Sequence, residues 1–93
     1  MDSESDNFVA ECFWPDVRDE DVRALDERIA TCLVAGVRYL GSILLREDEV
    51  VLCQFQGPAA VVREVAERAK VPFERILATT YVPSPIAGTG GPQ

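Results

Sequence analysis

Residues 37–56, VRYLGSILLREDEVVLCQFQ, constrain this chain more than any other stretch. Two β-rich runs, 37–45 and 50–55, flank the charged step Arg46-Glu47-Asp48-Glu49. Branched and aromatic side chains at this density suit a pleated, half-buried surface. Two such runs joined by a short polar step read as a hairpin. The step lacks an Asn-Gly signal, so it does not specify a turn type. Gly41-Ser42 interrupts the first run, where glycine marks a bulge or a close approach by another group.

One helix and one strand flank the hairpin on each side. Residues 7–14 (NFVAECFW) read as a strand, and Pro15, which cannot donate to a ladder, stops it. A helix is expected over 19–34: Val22, Leu25, Ile29 and Leu33 recur at three- and four-residue steps on one face. Asp19 is its expected N-cap, Glu20 and Asp21 suit the positive end of its dipole, and Asp19 and Arg23 make a weak pair. Gly36 takes the left-handed position that ends it. Gly57 breaks the second hairpin strand, and Pro58 opens a helix running to about Lys70 with Val61, Val65 and Ala69 on its apolar stripe. Val62 and Ala66 lie beside that stripe, and Glu64 and Arg68 form a four-residue pair. Val71-Pro72 ends the helix, and a last strand is expected over 75–81.

The order strand, helix, strand, strand, helix, strand reads as an α+β, ferredoxin-like βαββαβ sandwich. Such a fold has a four-stranded antiparallel sheet with two helices on one face. Right-handed crossovers then place the strands in the order last, first, third, second. An open barrel would need more strands than the sequence offers. At 93 residues the chain makes one small domain. It divides into a disordered acidic head at 1–7, the domain at 8–82, and a disordered Pro/Gly tail at 83–93.

Charge and residue usage exclude several classes of function. With 16 acids against 9 bases the net charge is −7, which argues against a nucleic-acid partner because phosphate binding needs clustered Lys and Arg. No apolar run approaches the ~20 residues of a membrane span, and the first residues lack the basic and apolar regions of a signal peptide. The expected location is the cytoplasm. Cys12, Cys32 and Cys53 are odd in number and about 20 residues apart, which fits free core thiols better than disulfides or a zinc site. The chain has no histidine, so Ser-His-Asp and Cys-His machinery is absent and Cys53 has no activating base. No glycine-rich phosphate loop follows a strand, and no metal or other cofactor is implied.

Two helices cover only one face of such a sheet, and strand alternation assigns the other. Phe8, Ala10 and Cys12 suit the helix side, with Val51, Cys53 and Phe55. Val9, Glu11 and Phe13 then face away, with Leu52 and Gln54, because a charge under the helices is costly. In the second strand Arg38, Leu40, Ser42 and Leu44 fall on one side and Val37, Tyr39, Gly41 and Ile43 on the other. A bulge at Gly41 would exchange these sets. An open face this apolar calls for a cover. It points to a homodimer through the open sheet face, with a cleft for a small, partly apolar ligand.

Glu11 is the candidate catalytic residue, since a carboxylate beside Val9, Phe13 and Leu52 suits a general acid or base. Its structural alternative is an ion pair with Arg38 or another arginine. Phe13, Arg38, Tyr39, Ser42, Leu52 and Gln54 are the candidate ligand-binding residues. Tyr39 and Ser42 are hydrogen-bond donors that could equally serve packing and turns. Trp14-Pro15 either walls the site or caps the core.

Glu11 with Pro15 after it, the segment Gly36-Val37-Arg38-Tyr39-Leu40-Gly41-Ser42, the run from Glu49 to Phe55 and the step Val71-Pro72-Phe73 resemble a family of small bacterial nickel-binding ferredoxin-like proteins. The resemblance spans about residues 8–81. It implies the ferredoxin-like fold and a two-fold dimer with facing sheets, similar to dimeric α+β barrels. It also implies metal binding through histidines, and none of those ligands has a counterpart here. Two functions are therefore expected in competition. One is a dimeric domain that binds a small ligand between sheet faces. The other is a cofactor-independent isomerase or cyclase using Glu11 as acid and base, with Tyr39, Ser42 or Gln54 orienting a carbonyl.

Overall fold

The structure is a computed structural model that describes residues 6–85. The strands are β1 (Asn7–Phe13), β2 (Arg38–Leu45), β3 (Val50–Gln56) and β4 (Arg75–Thr79). Helix α1 (Asp19–Cys32) joins β1 to β2, and α2 (Ala59–Arg68) joins β3 to β4. All pairings are antiparallel and the sheet order is β2-β3-β1-β4, the order expected from right-handed crossovers. The fold is α+β.

Alternation along β1 and β3 is regular. Phe8, Ala10 and Cys12 are buried with Val51, Cys53 and Phe55, and they meet Leu25 and Ile29 of α1 and Val62, Val65 and Ala66 of α2. Burying large side chains such as Phe55, Leu25 and Ile29 contributes roughly 1.5–3 kcal/mol each.

Several boundaries differ from expectation. Arg18, not Asp19, caps α1: its backbone N–H donates to Asp21 Oδ2 at 2.9 Å. Asp19 is spared for Arg46, which donates to its Oδ1 at 2.9 Å, rather than for Arg23. Helix α1 stops at Cys32 with an extended cap at Leu33, and Gly36 (φ 92°) belongs to the turn before β2. Pro58 is the cap of α2 rather than its first turn, and β4 ends at Thr79. Glu64 and Arg68 pair as expected, at 3.1 Å.

The first strand begins at Asn7, as the reading over 7–14 expects, so the last residue assigned to the head belongs to the sheet. Asn7 opens β1, and the Asp6 carbonyl accepts the Gly57 N–H at 2.9 Å. Residues 83–85 have no regular structure. Residues 1–5 and 86–93, the remainder of the expected head and tail, lie outside the described residues. No helix among the described residues is long and apolar enough to cross a membrane.

Candidate functional site

The geometry of the site depends on a bulge in β2. Arg38 and Tyr39 pair with Gln56 and Phe55, and then the register slips so that Gly41 faces Gln54 and Ser42 faces Cys53. Leu40 is the extra residue. Both Tyr39 and Ser42 therefore point to the helix side, which simple alternation forbids for residues three apart. Gly41 adopts φ 119°, a conformation that glycine tolerates and branched residues do not.

On the helix side this bulge assembles a polar cluster at the edge of the core. Tyr39 and Ser42 both donate to Asp26 Oδ1 of α1, at 2.6 and 2.8 Å, and the two hydroxyls also contact each other. Ser42 Oγ lies 3.8 Å from the buried Cys53 Sγ. The Tyr39 ring packs on Phe55 with centroids 5.0 Å apart. Burial pushes the Tyr39 hydroxyl well above its usual range; the Asp26 bond adds to this and Ser42 opposes it. Cys12 is also raised, by its hydrogen bond with Cys53 and by burial. Cys53 is lowered by the same thiol contact, with the Tyr39 and Ser42 hydroxyls adding and burial opposing.

Tyr39 and Ser42 thus both point away from the open face, which resolves the phase of β2 that the Gly41 signal left open. Leu44 likewise packs against the core, and Ile43 stands outside. The cluster fastens α1 to the sheet edge. Asp26 was missed by sequence reasoning, although a signal existed: it lies four residues after Val22 and three before Ile29, within the inward stripe of α1.

On the open side the registers define four rows across the sheet. Leu45, Val50 and Phe13 form the first; Ile43, Leu52, Glu11 and Arg75 the second. Gly41, Gln54, Val9 and Leu77 form the third, and Arg38, Gln56, Asn7 and Thr79 the fourth. Large apolar groups stand in solvent here: Phe13 is 54 % exposed, Leu40 47 % and Ile43 45 %. Among the described residues the three cysteines are free, with Cys12 and Cys53 buried and Cys32 half-buried.

Glu11 faces outward as expected, and its Oε1 accepts from Arg75 Nε at 2.6 Å. The partner is Arg75 on β4, not Arg38, which lies two rows away and reaches Gln56 Oε1 at 3.5 Å. The Glu11 hydrogen bond and then its charge raise the pKa of Arg75 further above its already high value.

A groove of about 580 Å³ runs from Ile43 and Leu52 in the second row across the third and fourth rows. Val9, Leu40, Ile43 and Leu52 give it apolar walls, and Gln54 and Gln56 supply amides. Gly41 contributes no side chain to the third row, and a Cβ there would meet nothing within 4 Å. The chain leaving β4 closes the far side with Thr79, Thr80 and Tyr81. Of the expected ligand-binding residues the groove therefore gathers Leu52 and Gln54. Glu11, Phe13, Arg38, Tyr39 and Ser42 are not part of its lining. Asn7 is, and its Oδ1 is buried without a hydrogen-bond partner among the described residues.

The donor set for the nickel implied by the resemblance does not fit. The chain has no histidine, and the described residues hold no group of three Cys, Asp or Glu able to grip a metal ion. Comparison with protein-family models, with curated proteins and with solved structures finds no match.

Proposed function

We propose that this chain is a ferredoxin-like domain that pairs with a second copy through its open sheet face. In this reading each copy binds a small, partly apolar ligand in the groove on that face. The observation that carries the reading is the groove itself. Its volume of about 580 Å³ falls in the range of small-molecule sites, and its walls are apolar with few polar groups.

The exposed Phe13, Leu40, Ile43 and Leu45 support the dimer, since a contiguous apolar patch on a soluble chain marks an interaction surface. The face also suits a like partner electrostatically. The chain carries −7 overall, yet the Glu11 charge on this face is matched by Arg75, with Arg38 at the edge. Two copies can approach here without the repulsion their other surfaces would generate. The family resemblance points to the same assembly, without the metal.

The test combines sedimentation equilibrium with titration by Nile red, a neutral dye whose emission shifts to the blue in apolar sites. The expected result is a mass twice the 10.2 kDa of one chain, and saturable dye binding that Leu52→Asp weakens. A monomer at all concentrations would remove the dimer, and an absence of saturable dye binding would remove the ligand site.

A further inference from the structure

The polarity of the groove defines the chemical class of its ligand. In a chain of which 27 % is charged, none of the twelve residues lining the groove carries a charge. A carboxylate, phosphate or ammonium seated there would lose water with no charged residue in the lining, the cation of the fourth row, Arg38, being outside it and turned to Gln56 Oε1 at 3.5 Å. The polar groups present are neutral: the amides of Asn7, Gln54 and Gln56 and the hydroxyls of Thr79, Thr80 and Tyr81. They recognise neutral donors and acceptors.

Asn7 makes the requirement more specific. Its Oδ1 is a buried acceptor with no partner among the described residues, an unfavourable condition. Asn7 sits at the start of β1 with its side chain in the outer row, beside Thr79 and Gln56. The terminal torsion of an asparagine is soft, so rotation of the amide can bring this oxygen to a ligand in the groove that Asn7 lines. A donor on the ligand would then satisfy it.

Resting on the ligand-binding reading above, we infer that the groove selects an uncharged ligand with an apolar body and one hydroxyl or amide N–H, which donates to Asn7 Oδ1. Gln54 and the threonine hydroxyls complete the polar end, and Val9, Leu40, Ile43 and Leu52 hold the apolar body.

The experiment displaces Nile red from the full chain with four probes of similar length: 1-octanol, octanoate, octylammonium and 1-methoxyheptane. Salt near 0.15 M limits attraction of the cation to the acidic surface, since charges then interact over only about 8 Å. Octanol is expected to displace the dye at least about tenfold more effectively than either ion, and roughly three- to tenfold more effectively than the ether, the worth of one net hydrogen bond. Asn7→Leu should abolish the difference between alcohol and ether, with each probe's displacement referred to the dye affinity measured for that variant. If that variant fails to fold, the alcohol–ether comparison in the unaltered chain still decides.

Octanoate or octylammonium matching octanol would overturn the inference, as would equal action of alcohol and ether. Both outcomes leave the ligand site standing, because the dye still binds. Dye binding that falls as the protein is concentrated through its dimerisation range would assign the groove to the second copy, and also overturns the inference. If Nile red does not bind at all, the ligand site fails and the inference fails with it.

Discussion

On the helix side of β3, Val51, Cys53 and Phe55 are fully buried, whereas Leu52, Gln54 and Gln56 on the other side are only half-buried. The same strand thus serves two surfaces with different physics. The inner one is closed by α1 and α2 and holds the fold together through volume and fit. The outer one has no cover within the chain, and its apolar groups contribute little until something meets them. Polar groups follow the same division. Inside, Tyr39, Ser42 and Asp26 satisfy one another, while outside Asn7 Oδ1 is left unsatisfied.

The largest expected effect separates the two faces directly. Phe55→Ala should lower the unfolding free energy by about 3–5 kcal/mol, the cost of an aromatic-sized cavity. Leu52→Ala, three residues away on the other face, should cost under about 1 kcal/mol at low protein concentration. At high concentration its cost should grow, because dimerisation makes apparent stability depend on mass action. Urea denaturation at both concentrations measures this. Equal costs for the two variants at low concentration would mean that the open face is covered within one chain.

Asp26→Ala comes next. It leaves two half-buried hydroxyls without their acceptor and should cost about 1–3 kcal/mol. Asp26→Asn keeps an acceptor and should cost less. Equal costs would show that the carboxylate's charge, rather than its hydrogen bonds, fastens α1 to β2.

Most of the fold could be read from the sequence because β1, β3 and α2 follow their periods without interruption. Strand order followed from handedness alone. The phase of β2 could not be read, because the Gly41 signal marks a bulge without saying which residue is extra. Leu40 proves to be that residue, and this one slip moved Ser42 and Leu44 inward and Ile43 outward. The groove was half legible: Leu52 and Gln54 came from alternation. Asn7 and residues 79–81 come from a strand end and its exit, where pattern carries little information. At the boundary of the head, Asn7 opens β1 as the strand over 7–14 predicts, whereas acidic composition hid that the Asp6 carbonyl is tied to the Gly57 turn.

A smaller effect lies in the alkaline limb of the stability profile. The folded state raises the Tyr39 pKa above its unfolded value near 10, so the neutral hydroxyl is stabilised by folding. Its contribution is fully present below pH ~10 and is lost as pH rises beyond that, because the unfolded chain releases this proton first. The slope cannot exceed about 1.4 kcal/mol per pH unit for one group. Urea midpoints measured from pH 8 to 11 should fall at the high end, and Tyr39→Phe should flatten the fall without abolishing it, since Cys12 is raised as well. A profile unchanged by Tyr39→Phe would mean that the tyrosine is equally free to ionise in both states.

The smallest expected effect concerns Glu11, the one carboxylate on the open face whose chemistry the sequence had singled out. Its side chain is held by Arg75, and the groove takes Ile43 and Leu52 from the second row but not Glu11 or Arg75. Glu11→Gln keeps the shape and a hydrogen-bond acceptor while removing the charge. Solvent screens the exposed guanidinium partner, so the urea midpoint should hardly move. Nile red affinity should be unchanged, in contrast to the loss with Leu52→Asp one strand away. If Glu11→Gln instead weakened dye binding as strongly as Leu52→Asp, the ligand would have to extend past Leu52 onto β1 at Glu11. Glu11 would then stand against a bound apolar molecule, and the acid–base reading of this chain would regain the geometry that it lacks.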